Sequence, residues 1–158
     1  MNIFVLDSDP QHAAQYHCDK HVVKMIVESC QIMCSVHHLF GVYSGIPYRK
    51  THQFHPCVIW ALQSRRNFEW LTELSQYLLL EYTFRYGKVH KSTQVYNWIV
   101  EHPLCFSVQE LTSFVQVMPE PYKSLDAIAA YRNYYRGEKT TILKYTLREV
   151  PLWLNGYL

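Results

Sequence analysis

Nine consecutive residues, "HCDKHVVKM" from His17 to Met25, bring together two histidines, a cysteine, an aspartate and two lysines. In a helix, side chains three and four residues apart share one face. Imidazoles titrate near neutral pH and move protons, while lysine ammonium groups attract an anionic substrate. The spacing therefore predicts a catalytic face made by His17, Lys20, His21 and Lys24.

The same histidine spacing also suits a metal site, because two imidazoles four residues apart on a helix can bind one ion. The intervening Cys18 and Asp19, however, point about 100° and 200° away from His17 around a helix. Further ligands would have to come from the later "HQFHPC" stretch, which requires that loop to fold back. We therefore expect neither a metal nor another cofactor. The competing interpretation is that both histidines are half-buried structural residues.

Two later stretches interleave basic and aromatic residues: "YTFRYGKVHK" over 82–91 and "YRNYYRGEK" over 131–139. Arginine and lysine neutralise phosphates while aromatic rings stack on bases, which is the mixture a nucleic-acid groove needs. The alternative is a set of core tyrosines flanked by long cations that lie along the surface. Together with the loop pair Arg49 and Lys50, the two stretches favour a nucleic acid, DNA or RNA, as the partner.

The predicted DNA-binding residues fall into three groups. Phosphate contacts are expected from Arg49, Lys50, Arg85, Lys88, Lys91, Arg132, Arg136 and Lys139. Three histidines are expected near the chemical face, two of them just before a helix N-terminus that favours anions; they are His52, His55 and His90. One tyrosine is expected to stack on a flipped base or on its neighbours, and the candidates are Tyr131, Tyr134 and Tyr135.

Hydrophobic periodicity predicts the helices that must position these residues. It indicates a mainly α fold, a compact helical bundle. A short extended segment, "MNIFVLD", comes first, and "SDP" then predicts the start of a helix. Ser124 is expected to cap the last helix and Gly137 to close it. The three predicted helices cover residues 11–40, 57–86 and 125–136, with a less regular region over 88–123.

The totals favour a single soluble domain over residues 1–158. Hydrophobic residues make up 49% of the chain, enough for a core, and the formal net charge is only +2. Five cysteines without a CxxC pair indicate free thiols in a reducing compartment. With no recognisable signal peptide or membrane span, a cytoplasmic location is expected. Motifs of nucleotide hydrolases, dinucleotide enzymes, serine hydrolases and zinc deaminases are absent.

The order of elements resembles the small all-α pyrimidine-dimer DNA glycosylases of phages and bacteria. The resemblance covers about two-thirds of the chain, through short motifs. It rests on "MNIFVLD", on the Lys-His pair of the first helix, on "HP" with a tryptophan four residues after the proline, and on "RYGKVHKS". It implies an all-α fold in which the first long helix lines the site, the "HP" stretch opens a central helix, and the last stretch closes the site.

The resemblance also implies a nucleophile and a carboxylate, and this sequence departs from the family at both. In that family the nucleophile is a free N-terminal amine, released when methionine is removed before a small second residue. Here Asn2 is expected to leave Met1 in place. The family's catalytic carboxylate lies on the first helix, where the pattern here places His21 beside Lys20. Schiff-base chemistry would then require a desolvated Lys20 or Lys24.

The stretches "DKHVVKM" and "YRNYYRG" also resemble small proteins of tailed phages, of the kind that join an amino acid or amine to a pyrophosphate-activated hydroxymethyl-uracil base. This implies that Lys20 and Lys24 hold pyrophosphate while His17 or His21 deprotonates the amine, with the base turned out of the duplex. We therefore predict a phage DNA-modifying transferase that acts on a flipped pyrimidine base, derived from thymine or hydroxymethyl-uracil, in double-stranded DNA. A free amino acid or amine would be its second partner. The alternatives are a pyrimidine-specific DNA glycosylase with lyase activity, and a non-catalytic module that binds DNA or is stabilised by zinc.

Overall fold

The computed structural model describes residues 1–157 of the chain, and six α-helices lie within them. Three short 3-10 turns occupy Glu120–Tyr122, Thr140–Ile142 and Leu152–Leu154. The predicted mainly α fold is confirmed, with no β-strand in the part of the chain that is described. None of the helices is both long and apolar enough to cross a lipid bilayer. Their bounds are Pro10–Tyr16 (α1), Asp19–Phe40 (α2), Pro56–Gln63 (α3), Arg65–Tyr86 (α4), Thr93–Glu101 (α5) and Ala127–Glu138 (α6).

A bend at His17 and Cys18 divides the first predicted helix into two. Both residues have extended backbone angles, with ψ of 133° and 160°, so helical hydrogen bonding stops there and resumes at Asp19. In place of a helical partner, the Asp19 N–H donates to the carbonyl oxygen of Lys144 at 2.8 Å. The prediction of one helix over residues 11–40 is therefore wrong, because a contact with the C-terminal tail replaces the local hydrogen bonds.

Arg85, near the end of α4, closes this bend from inside the protein. Its side chain is fully buried, and its guanidinium donates to the carbonyl oxygens of His17 at 2.9 Å and Gln15 at 3.0 Å. Two carboxylates compensate the charge, Asp19 at 3.1 Å and Glu81 at 3.0 Å. The predicted contact of Arg85 with a DNA phosphate is wrong for this structure, because the charge is already paired and has no access to solvent.

Replacement of Arg85 by methionine should destabilise the protein strongly. Removal of Arg85 leaves the Asp19 carboxylate without its counter-charge, although Arg148 still pairs with Glu81. Loss of one partner of a buried ion pair lowers the free energy of unfolding by about 3–5 kcal/mol. Urea denaturation followed by circular dichroism measures this value. Arg66→Met is the matched control, because Arg66 is exposed on the same helix and its pair with Glu69 contributes at most about 1 kcal/mol. Equal losses in the two variants would contradict the structural role of Arg85.

The other predicted helices differ from the structure mainly at their ends. Ser64 divides the second one into α3 and α4, because its side-chain oxygen accepts a backbone N–H of the first turn of α4 and starts a new helix. α5 lies in the region 88–123 that was predicted to be less regular, since a helix of 9 residues has too short a pattern to stand out. The last helix is capped by Asp126 rather than by Ser124.

The N-terminal segment is the part of the core that positions the functional site. Residues 3–6 are each at most 5% exposed, although they belong to no helix or strand. The ring of Phe4 packs between two helices, with its centroid 4.5 Å from His21 on α2 and 5.6 Å from Tyr131 on α6. The first residues of the chain are therefore held between α2 and α6, which determines where the N-terminus lies.

Candidate active site

An amine and a carboxylate meet at the N-terminus. The ammonium nitrogen of Met1 lies 3.9 Å from Glu28 Oε2, and the two side chains are only 4% and 11% exposed. The Asn2 backbone N–H donates to the same oxygen at 2.9 Å. On the other side of the carboxylate, the exposed Lys24 places its Nζ 3.3 Å from Oε1. Glu28 on α2 thus lies between two amines.

The pair formed by Met1 and Glu28 has a defined chemical capacity. A neutral amine is a nucleophile toward an electron-poor carbon, and an adjacent carboxylate can accept and return protons. The arrangement is therefore suited to covalent imine chemistry assisted by one acid–base group.

Asn2 sets the direction of the N-terminus through its side chain. Its Nδ2 donates to the carbonyl oxygen of Val117 at 2.8 Å, and its Oδ1 lies 3.0 Å from the Tyr131 hydroxyl. Tyr131 is fully buried, and its hydroxyl also lies 2.9 Å from the carbonyl oxygen of Val115. Residues far along the chain therefore position the first two residues. The predicted stacking of Tyr131 on a DNA base is wrong, because the ring has no exposed face.

Tyr131→Phe should slow the reaction of the Met1 amine with DNA more than it weakens the binding of DNA. Loss of the hydroxyl removes the hydrogen bond to Asn2 Oδ1 and leaves only the Nδ2 bond to Val117. The Met1 amine is then held less firmly beside its carboxylate, and the single-turnover rate should fall about tenfold. The affinity for DNA, measured by fluorescence anisotropy, should stay within about twofold. Tyr145→Phe is the control, because it removes a hydroxyl that donates to a carbonyl oxygen of α1 at 3.0 Å instead. Equal rate losses would argue against a positioning role.

The "HQFHP" turn borders the amine and the carboxylate. The His55 imidazole accepts the Cys57 N–H at 3.2 Å and so caps α3. Partial burial lowers the pKa of His55, the N-terminal charge and His52 lower it further, and Glu28 opposes the shift. Cys57 Sγ lies 3.9 Å from Asn2 Oδ1, and burial raises the pKa of this thiol to about 12. His52 and His55 therefore lie near Met1 and Glu28. The sequence pattern had instead predicted the chemistry on the face of His17 and His21.

The four residues predicted to share one catalytic face differ in burial in the structure. His17 lies in the bend before α2 and is fully buried, with its Nδ1–H donating to a carbonyl oxygen of α1 at 2.7 Å. His21 is buried on the inner side of α2, where Nδ1 lies 2.5 Å from the Tyr135 hydroxyl. Lys20 and Lys24 are exposed. The predicted open face is wrong, because both imidazoles are buried while the two ammonium groups are exposed.

Burial makes both imidazoles weak bases. Desolvation is the main cause that lowers the pKa of His17 to about 4 and that of His21 to about 3. Both rings are therefore neutral near pH 7, and they pack near the ring of Phe4. A role in proton transfer remains a prediction for each of them. Within residues 1–157, no three His, Cys, Asp or Glu side chains are grouped in a way that could hold a metal.

The predicted phosphate contacts divide into internally bonded and exposed side chains. On α6, Arg132 donates to Asp7 Oδ2 at 3.0 Å and Arg136 donates to the carbonyl oxygen of Trp153 at 2.8 Å, although both remain partly exposed. His90 is half-buried against a tyrosine of α4, with ring centroids 4.8 Å apart. Contact with DNA remains a prediction for these residues. The exposed members of the phosphate set are Arg49, Lys50, Lys88 and Lys91.

Of the three tyrosines considered for base stacking, only Tyr134 is partly exposed. Its ring stacks on Phe4 with centroids 6.1 Å apart at an angle of 8°, and Lys139 Nζ lies 4.5 Å from its centroid. A partly exposed tyrosine beside a cation has the features expected of a DNA-contacting pair. Tyr135 is fully buried beside His21, so the prediction that it stacks on a base is wrong.

In this helical fold an α-amino group lies beside a buried carboxylate, an arrangement suited to amine-based covalent chemistry. A family model described as pyrimidine dimer DNA glycosylase matches residues 1–95, more than half of the 158 residues. The chain therefore belongs to this family of DNA-acting enzymes, and the resemblance to that family seen in its motifs is confirmed. No curated protein and no solved structure matches the chain. The matched range contains Met1, Glu28 and His55, whereas Tyr131 lies outside it.

Sequence patterns alone do not reveal the amine and carboxylate pair. Glu28 shares the helical spacing of a polar surface face, and nothing local distinguishes it from a solvated acid. The signal that points to it is the family's carboxylate on the first helix, since Asp19 and Glu28 are the acidic residues of α2. The amine is easily discounted because Asn2 is expected to leave Met1 in place. A retained methionine, however, also carries an α-amino group.

Proposed function

We propose that this protein removes a damaged or modified pyrimidine base from double-stranded DNA, with the Met1 α-amino group as nucleophile and Glu28 as acid–base catalyst. The observation that carries the proposal is the 3.9 Å separation of the amine and the carboxylate. Membership of the glycosylase family supports the same substrate class, and both groups lie in the matched part of the chain. The proposal thus assigns the nucleophile and the carboxylate to two residues that are in contact.

The proposed reaction begins when Glu28 accepts a proton from the Met1 ammonium. The free amine attacks C1′ of the deoxyribose, the C1′–N1 bond breaks, and its electron pair leaves with the pyrimidine, which takes up a proton. The nitrogen loses its extra proton, and its lone pair then expels O4′, which is protonated as the sugar ring opens. The product is a protonated imine whose charge Glu28 balances. Removal of a C2′ proton then expels the 3′-phosphate, and water hydrolyses the imine to release the amine.

Exposed cations near the pair support binding of a duplex. Arg49 and Lys50 are exposed in the loop that leads to the "HQFHP" turn, and Lys24 is 64% exposed beside the carboxylate. On α6, the ring of Tyr134 stacks on Phe4 of the N-terminal segment. The Nζ of Lys139 lies 4.5 Å from the centroid of the Tyr134 ring. We assign phosphate contacts to the cations and base stacking to the tyrosine.

Transfer of an amino acid or amine to an activated hydroxymethyl-uracil base remains a second prediction, as does phage origin. It would use Lys20 and Lys24 to hold pyrophosphate and His17 or His21 as the base. The exposure of the two lysines is compatible with transfer. The burial of both imidazoles gives it no support.

Borohydride trapping on duplex DNA with one abasic site tests the proposed excision chemistry. Borohydride reduces an imine to a stable amine, so a covalent protein–DNA adduct is expected, and peptide mapping should place it on Met1. Lys20→Met and Lys24→Met should still form the adduct. A chain carrying two extra residues before Met1 should lose it, because the α-amino group no longer lies beside Glu28.

Each other outcome contradicts the proposal in a different way. An adduct on a lysine, or an adduct unaffected by the N-terminal extension, would remove Met1 from the reaction. Absence of an adduct, together with a nucleoside mass gain on activated hydroxymethyl-uracil DNA, would favour transfer. Binding of DNA without either product would favour the non-catalytic binding module.

A further inference from the structure

A cleft of about 740 Å³ lies between α4 and α5. One wall is a face of α4, made by side chains three and four residues apart, and the other is made by α5 and the segment that follows it. No hydrogen-bond or ion-pair partner described above for Met1, Asn2 or Glu28 lines this cleft. The α4–α5 cleft is therefore formed by a different set of residues from the candidate active site.

The segment that follows α5 is fixed against α4. The Arg65 N–H donates to the Val108 carbonyl oxygen at 2.9 Å, and the Gln109 side chain donates to the Phe106 carbonyl oxygen at 2.7 Å. The ring of Phe106 packs against Phe68 of α4, with centroids 5.5 Å apart. The α4–α5 cleft is therefore held open by the fold itself, as small-molecule sites usually are.

The inside of the cleft is apolar and aromatic. Its volume of about 740 Å³ falls within the range of small-molecule sites, which is about 300–1,000 Å³. The faces of aromatic rings attract organic cations, and an apolar lining favours a ligand with an apolar body. The buried and half-buried members of this lining are Phe68, Tyr96, Ile99, Leu104 and Phe106.

Glu73 gives the cleft a negative charge. The other carboxylate of the lining, Glu69, is paired with Arg65 at 2.6 Å, whereas Glu73 takes part in no ion pair within residues 1–157. Burial, and then charges that include Glu73, raise the pKa of the Tyr96 phenol, so the Glu73 charge acts on the aromatic lining. An unpaired carboxylate beside aromatic rings attracts a cation and repels the phosphates of DNA.

We propose that the α4–α5 cleft binds an organic cation, an amine or ammonium compound with an apolar body. The cationic group meets the Glu73 carboxylate, and the body fills the space between Phe68 and Phe106. Such a ligand gains from charge attraction, from contact with aromatic faces and from burial of its apolar surface. The inference is independent of the proposed function, because it uses neither Met1 nor Glu28.

Three probes with the same apolar body and different charges test the class of ligand. They are 4-phenylbutylamine, 4-phenylbutanol and 4-phenylbutyrate, and NMR titration measures their dissociation constants. The amine should bind about tenfold more tightly than the alcohol, and the carboxylate should bind most weakly. Glu73→Gln should bind the amine and the alcohol within about twofold of each other. Glu101→Gln is the control and should keep the preference, because Glu101 is exposed on α5 but does not line the cleft.

Val100→Trp tests the location of the bound amine. Val100 lines the cleft and is 53% exposed, so the fold can accept a larger side chain there while the indole takes up ligand space. The variant should bind 4-phenylbutylamine at least about tenfold more weakly. Val42→Trp is the control, because Val42 is 64% exposed outside the cleft. Circular dichroism checks that both variants are folded.

The results that would overturn the proposal differ in what they reveal. Equal affinities for the three probes, or binding of none of them, would remove the organic cation from the cleft. Tight binding of the amine that Val100→Trp does not change would place the ligand elsewhere on the protein. A dimer in sedimentation experiments that Val100→Trp dissociates would show that a second copy of the chain fills the cleft. None of these results bears on borohydride trapping at Met1, which tests the proposed function separately.

Discussion

Replacement of Glu28 by glutamine is expected to slow base excision about 100- to 10,000-fold. The amide has nearly the same size as the carboxylate, but it cannot accept a proton from the Met1 ammonium or balance the positive charge of an imine. Single-turnover cleavage of DNA that contains a pyrimidine dimer measures this step. The affinity for DNA should stay equal or rise slightly, because the substitution removes a negative charge near the phosphates.

Glu101→Gln is the matched control for this experiment, because Glu101 is an exposed carboxylate at the end of α5. It should leave the excision rate unchanged. Glu28→Asp should give an intermediate rate, since it keeps the charge but moves the oxygens away from Met1. A Glu28→Gln protein that is folded and excises at the unaltered rate would remove the carboxylate from the reaction.

Acidification from pH 7 to pH 5 is expected to lower the free energy of unfolding by about 4 kcal/mol. The cause is the burial of His17 and His21, which lowers their pKa values from 6.5 to about 4 and about 3. Between pH 6.5 and pH 4 the unfolded chain binds a proton at each histidine while the folded protein does not. The contribution of these two residues to the free energy of unfolding is therefore highest above pH 6.5. It falls with pH by about 1.4 kcal/mol per pH unit for each residue.

Urea titrations at pH 7, 6 and 5 measure this dependence, and its slope is the informative quantity. His17→Asn and His21→Asn should each remove about half of the slope, whatever they do to stability at pH 7. His12→Gln is the control, because His12 is exposed on α1, and it should leave the slope unchanged. Equal stability at pH 7 and pH 5 would show that the two imidazoles are not held neutral by burial.

The C-terminal part of the chain, beyond the residues that match the family, completes the candidate site. Val117 and Tyr131 hold the side chain of Asn2, and the chain segment after Met1 is packed against α6. The position of the nucleophile therefore depends on residues that the family match over 1–95 does not include. We expect Tyr131→Phe to affect the reaction for this reason, although the Tyr131 hydroxyl bonds to Asn2, Val115 and Val117 and not to the amine or the carboxylate.

The sequence by itself determined the fold class, the start of the first helix and the family. Asp9 and Pro10 start α1 as predicted, and Gly87 ends α4 in a left-handed conformation with φ of 62°. These features depend on bonds between residues within a few positions of each other, so local patterns are enough to predict them. The short motifs that resemble the glycosylase family were likewise readable without a structure, and the family match confirmed them.

Only the tertiary structure decided which residues form the site. The Asn2 N–H meets Glu28 across 26 residues, and the Asn2 side chain meets Tyr131 across 129 residues. The bend at His17 and the burial of Arg85 likewise follow from long-range contacts. For this reason the sequence could not show that the predicted catalytic face and the predicted phosphate contact of Arg85 were wrong. Helical periodicity states which residues share a side of a helix. It does not state whether that side meets solvent or core, because burial is determined by packing between segments distant in sequence.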